Sequence, residues 1–240
     1  MKEKEILTIL NLPKEAWTLR TFPFNQLEKQ LTLPQRKLFQ ERIVARGIRI
    51  LATISERNTN ILKYESKKEK YEEIILFQIK VNQLSKVKDI YKTLASVMPY
   101  PLIIIFNCED RYKIIMSEHE KTDNGYLRVT NILETTETIN LNTYLSSANL
   151  DALDKTSLRT FYLDMMAKFV AAESKEKYDA SIEDNKVELL ELVKKLDKEI
   201  QQLVNKAKKE PQLNRRIEYQ LKANKLKEER AKYLTKEESQ

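Results

Sequence analysis

The segment "LIIIFNC", residues 102–108, restricts the fold more than any other part of this chain. Residues 102 to 106 are all apolar, so a strand built from them has no polar face and belongs inside a sheet covered on both sides. Ahead of it, "QLSKVKDIYKTLASVMPYP" sets Leu84, Val87, Ile90, Tyr91, Leu94 and Val97 at helical spacing, and Pro99 and Pro101 stop that helix. "EEIILFQIKV", residues 72–81, comes before the helix and reads as a second buried strand over Glu73–Val81, with Ile75, Phe77, Ile79 and Val81 facing the core. Strand, helix and strand in this order form a right-handed crossover unit, which makes 73–81 and 102–108 parallel neighbours.

The flanking segments extend this unit into a sheet. "EDR" turns the chain, "YKIIMSE" returns antiparallel to 102–108, and "GYLRVTNIL" follows a turn at Asn124-Gly125. Upstream, Pro13, Pro23 and Pro34 punctuate the first forty residues. Thr32 or Leu33 caps a helix from Pro34 to about Arg46, with Leu38, Phe39 and Ile43 on its apolar face, and Gly47 ends it. "IRILATI" then alternates as a strand with Ile48, Ile50, Ala52 and Ile54 on one face; a continued helix also fits, and the strand is preferred. The polar stretch up to residue 73 is assigned to a loop or a strand edge. Together these segments predict an α+β domain over residues 1–145, with a mixed sheet of four to five strands.

Beyond residue 145 the pattern becomes helical. Residues 146–181 form a connector containing the amphipathic helix of "SLRTFYLDMMAKFVAAESKE". From 182 to 240 the chain is rich in Lys, Glu and Leu. Leu189, Val193, Leu196, Ile200, Leu203 and Ala207 follow the alternating four-and-three spacing of a coiled-coil seam. Pro211 breaks this helix, a second runs from about Leu213 to Leu234, and the short break favours an antiparallel hairpin.

Composition narrows the chemistry. With glycine only at positions 47 and 125, the chain cannot build a P-loop or a Rossmann phosphate cradle. One histidine, His119, and one cysteine, Cys108, cannot supply a Cys/His metal cluster, and no cofactor is expected. The lone cysteine fits a reducing compartment, and neither a signal peptide nor a membrane span is evident, so a cytoplasmic location is expected. A net charge of +7 favours anionic partners, nucleic acid or acidic protein.

Three residue sets are candidates for function. Gln78 and Lys80, two apart on one strand face, have the spacing that metal-dependent nucleases of the restriction-enzyme-like fold use, with an upstream carboxylate to help hold Mg²⁺. Glu72 and Glu73 lie roughly 17 Å or more along the strand from the pair, which leaves Glu56. The structural alternative places Gln78 and Lys80 at the solvated end of the non-core face. Cys108 and His119 come to lie roughly 20 Å apart across the hairpin, too far for a nucleophile and its base, and read as a structural thiol and a surface imidazole. Lys206, Lys208, Lys209, Arg215 and Arg216 surround the helical bend with only Glu210 opposing them, and could contact phosphates or an acidic partner; an ordinary solvated turn is the alternative. The seam Leu189, Val193, Leu196, Ile200 and Leu203 is the candidate packing surface.

Taken together, "FPFNQLEKQLTLPQRKLFQERI", "SERNTNI", "EEIILFQIKV", "MPYPLIIIF" and "EPQLNRRIEYQLKANKLKEE" give the chain an almost end-to-end resemblance to the bacterial family of domain of unknown function 4391 (DUF4391). Where the family tends toward glutamate in the 73–81 strand, this chain has Gln78, which weakens a metal site. The segment "IRILATISERNTNI" also departs from the family's tryptophan and lysine-leucine pattern. The resemblance implies an α+β domain with a helical C-terminal extension and brings no catalytic residues. It also implies a neighbourhood of DNA methyltransferase and helicase genes in restriction-like antiviral systems. The leading expectation is therefore a non-catalytic accessory subunit that docks a methyltransferase or helicase through its hairpin. A divergent Mg²⁺-dependent nuclease using Glu56, Gln78 and Lys80, and a DNA-binding module working through the basic bend, are the alternatives.

Overall fold

The strands that lack a polar face lie at the centre of a six-stranded sheet. The computed structural model describes residues 1–122, 127–178 and 187–235. The chain begins with α1 (Glu3–Ile9), a 3₁₀ turn and β1 (Trp17–Thr21). Next come α2 (Phe24–Glu28), α3 (Leu33–Arg42), β2 (Ile43–Ser55) and α4 (Glu56–Thr59). A two-stranded ribbon, β3 (Tyr64–Glu65) and β4 (Lys70–Tyr71), leads to β5 (Glu73–Val81), α5 (Val87–Val97), β6 (Leu102–Cys108), β7 (Arg111–Lys121) and β8 (Leu127–Glu134). Then α6 (Leu141–Ser147) and α7 (Leu158–Tyr178) precede α8 (Val187–Lys209) and α9 (Leu213–Thr235). Two compact units result, Met1–Glu173 and Ser174–Gln240.

The sheet order is β1-β2-β5-β6-β7-β8, mixed as expected but with six strands in place of four to five. β5 and β6 are parallel, Phe77 opposite Ile104, with α5 crossing between them; β6 and β7 are antiparallel, Ile104 opposite Ile115. The strand that raises the count is β1. Its "WTLRT" is short, and an irregularity between Trp17 and Arg20, with Leu19 at φ 45°, breaks the alternation that would mark it. The expected Asn124-Gly125 turn before β8 lies outside the described residues.

Ile75, Phe77, Ile79 and Val81 are buried against Val87, Ile90, Tyr91 and Leu94 of α5 and Phe39 of α3 in one cluster. Ile74, Leu76, Ile103 and Ile105 are buried on the opposite face. There α1 packs on β2 and α6, and the Tyr162 hydroxyl of α7 donates to Leu102 O at 2.9 Å. Phe161, Tyr162, Met165 and Phe169 of α7, from the stretch read as a connector, are all buried.

Two expectations for residues 43–54 are corrected. The helix does not continue to Arg46: α3 starts at Leu33, capped by Thr32 with a capping box to Gln35, ends at Arg42, and β2 follows directly. Gly47 is therefore a strand residue. It lies in a bulge between Ile43, opposite Val81, and Ile48, opposite Ile79. A Cβ on Gly47 would come within 2.6 Å of Val44 O and 2.8 Å of Lys80 O, so only glycine lets the bulge close on β5. A second irregularity at Leu51 moves the alternation by one residue: Ile50 pairs with Phe77, whereas Ala52 pairs with Leu76. Ile48 and Ile50 thus face α5, and Ala52 and Ile54 face the other side.

Both clashes at Gly47 involve backbone carbonyls, which cannot move aside as a side chain would. Gly47→Ala should cost about 2–3 kcal/mol in urea unfolding, with the slope of the transition unchanged.

Candidate functional site

Gln78 and Lys80 share a strand face, yet their surroundings differ. Lys80 is exposed, while Gln78 is only 2% exposed, which corrects its expected place at the solvated end of the strand. The Gln78 amide nitrogen is buried with no hydrogen-bond partner. Across the ladder Gln78 faces Arg49 of β2 and Ile105 of β6.

Arg49 is fully engaged. Its Nε and Nη2 donate to the two carboxylate oxygens of Glu3 at 2.8 and 3.0 Å, its Nη1 donates to Thr21 Oγ1 at 2.6 Å, and Nη2 also donates to Leu19 O at 3.1 Å. This two-pronged pair ties α1 to the sheet and holds the Arg49 pKa above its ordinary value. It also puts a cation opposite Gln78, where a metal site would require a carboxylate.

The structure does not bring Glu56 to this pair. Ser55 is opposite Glu73, so Glu56 starts α4 past the far end of β5, about 17 Å from Gln78 at the usual rise per residue. Its Oε2 accepts from Lys63 N at 3.3 Å. Among the described residues, no group of three or more His, Cys, Asp or Glu side chains is arranged to hold a metal ion.

A buried polar cluster at the β6–β7 end went unread in the sequence. The Tyr162 hydroxyl accepts from Ser117 N at 3.1 Å and shares its single proton between Leu102 O at 2.9 Å and Ser117 O at 3.0 Å. The Tyr91 hydroxyl lies 2.6 Å from Ser117 Oγ, which is 3.2 Å from His119 Nε2. The only sequence signal was polar residues at i and i+2, Ser117 and His119, in an apolar strand. His119 is 2% exposed, which corrects its reading as a surface imidazole. Burial pushes its pKa down to about 4, so the ring stays neutral, and burial likewise raises the phenol pKa values of Tyr71, Tyr91 and Tyr162. Tyr91, Ser117, His119 and Tyr162 are buried and tie α5, β6, β7 and α7 together. Cys108, also buried, donates from Sγ to Asn82 O at 3.3 Å.

In the second unit, α8 packs along α9, and Arg230 Nε meets Asp197 Oδ1 at 2.8 Å, joining the C-terminal part of α9 to the first half of α8 in antiparallel sense. Val193, Leu196, Ala207 and Ala223 are buried, Ile200 and Leu203 half-buried; the side chain of Leu189 lies outside the described residues. Lys206, Lys208, Lys209, Arg215 and Arg216 are all exposed around the bend. The three lysines close the last turns of α8, where cations suit the helix dipole. Arg215 and Arg216 occupy the first turn of α9, which has no acidic residue and where cations oppose the dipole.

The family model described as "Domain of unknown function (DUF4391)" matches residues 10–229. The chain belongs to the DUF4391 family. No curated protein and no solved structure matches it. The match runs from the end of α1 through most of α9, so it covers both units. Among the described residues, no helix of this DUF4391 chain is long and apolar enough to cross a membrane.

The neutral, buried His119 predicts a pH dependence. The unfolded chain takes up a proton near pH 6.5 and the folded chain only near pH 4, so stability falls as the pH drops through that window. Relative to His119→Gln, the wild-type protein should lose about 2–3 kcal/mol between pH 7 and 4.5 in denaturant titrations. For Gln78, Gln78→Met removes an unpartnered amide at nearly constant volume and should be neutral or stabilise by about 1 kcal/mol. A loss of several kcal/mol would show that the amide makes an essential contact.

Proposed function

We propose that this protein is a non-catalytic accessory subunit that docks a DNA methyltransferase or helicase of a restriction-like antiviral system, with the α8–α9 hairpin as the docking arm. The observation that carries this reading is Arg215 and Arg216 in the first turn of α9. Cations there work against the helix dipole, so helix stability does not account for them, and an anionic partner does. Arg215 acts on Glu218 one turn along α9 at longer range, whereas Lys206, Lys208, Lys209 and Arg216 are exposed around the bend and open to contact. Exposed Ile217 and Leu221, one turn apart on α9, add an apolar component suited to protein as well as nucleic acid. The separation of Glu56 from Gln78 and Lys80, with Arg49 of β2 opposite Gln78, favours this reading over a Mg²⁺-dependent nuclease.

Direct DNA contact through the bend is the second reading, favoured by the same five cations. Co-purification from the native host tests both. Arg215→Glu with Arg216→Glu should reduce recovery of the methyltransferase or helicase by about tenfold while leaving helix content unchanged. If recovery is unchanged and duplex DNA affinity falls with a shallower salt dependence, the bend is a DNA contact instead. Unchanged recovery with unchanged DNA affinity removes both readings.

A further inference from the structure

A groove of about 690 Å³ runs along the hairpin between its two helices. Val204, Ala207 and Lys208 of α8 line one wall; Arg216, Ile217 and Lys227 of α9 line the other. Its charge is one-sided: beside the apolar Val204, Ala207, Ile217 and Ala223 and the neutral amides of Gln220 and Asn224, the lining holds three cations and no carboxylate. Ile217 is 45% exposed and Leu221, on the next turn, 59%, so the apolar surface continues out of the groove. Arg216 and Lys227 are eleven positions apart on one helix, about 16 Å or three helical turns. An extended peptide would find no free backbone edge between two helices, whereas a third helix fits the channel between two packed ones. Duplex DNA would engage the cations but leave Val204, Ile217 and Leu221 without a partner.

Resting on the reading of the hairpin as a docking arm, we infer that this groove receives an acidic amphipathic helix of about three turns from the partner protein. Its apolar residues, at i, i+3/i+4 and i+7, cover Val204, Ile217 and Leu221. Flanking Glu or Asp residues meet Lys208, Arg216 and Lys227, and these contacts set orientation and selectivity more than affinity.

The test uses the full-length protein and two synthetic helical peptides of about four turns. They carry the same leucine stripe, flanked by glutamates in one and by lysines in the other. In fluorescence anisotropy the acidic peptide should bind at least about tenfold more tightly than the basic one. Ile217→Ala and Lys227→Glu should each weaken it by about tenfold, with unchanged circular dichroism because both side chains lie at the surface. Equal binding of the two peptides, or binding that neither substitution affects, overturns the inference. So does a dimer in sedimentation that Ile217→Asp dissociates, which would make a second copy the occupant, and so does loss of duplex DNA affinity in Lys227→Glu without loss of peptide. If the methyltransferase or helicase still co-purifies with Ile217→Asp but is lost from Arg215→Glu with Arg216→Glu, this groove is not the docking surface while the docking-arm reading stands.

Discussion

The rest of the first unit depends on the burial of β5 and β6 on both faces. Along the stretch buried on both faces, which in β5 stops short of exposed Lys80, such a strand cannot send a polar group to water, so each polar atom near it is either satisfied by the protein or left at a cost. The start of β6 shows the first outcome: beyond the ladder, Leu102 O is met by the hydroxyls of Tyr162 and Tyr91, which reach it from two different helices. Gln78 shows the second, with an amide nitrogen that has no partner. The same constraint keeps His119 neutral and holds the tyrosines protonated.

The bulges in β2 follow from the same geometry. A thirteen-residue strand beside nine-residue β5 has more residues than partners, and the excess is absorbed at Gly47 and again at Leu51. The first bulge needs a residue without a side chain, because β5 backbone lies directly against it. The second changes which face each later residue serves, so Ile48 and Ile54 of one apolar strand contribute to opposite sides of the sheet. Arg49, between the bulges, comes to point at Glu3 and becomes the clamp for α1.

The second unit follows other rules. Its helices bury a narrow seam that includes Val193, Leu196 and the small residues Ala207 and Ala223. Ion pairs such as Glu218 with Lys222 lie one turn apart and are fully solvated, so they add little to stability. What distinguishes this surface is the sign of its charge near the bend and the exposed apolar residues beside it, Ile217 and Leu221.

Much of the architecture was legible in the order and periodicity of the apolar residues: the crossover unit, the returning β7 strand, α5 and the two long helices. The short β1 was not, because a bulge and a left-handed leucine break its alternation. Candidate sites were less legible, since spacing places Gln78 beside Lys80 but does not reveal that the residue facing Gln78 across the ladder is Arg49. The sequence by itself determined the α+β class, the parallel core and the basic helical bend, because these depend on local periodicity and on charge. Only the tertiary structure decided that Gln78 and His119 are buried, that Glu56 lies at the other end of β5, and that Lys208, Arg216 and Lys227 rim one groove. Those facts depend on register and on which helices meet, and neither is set by neighbours along the chain.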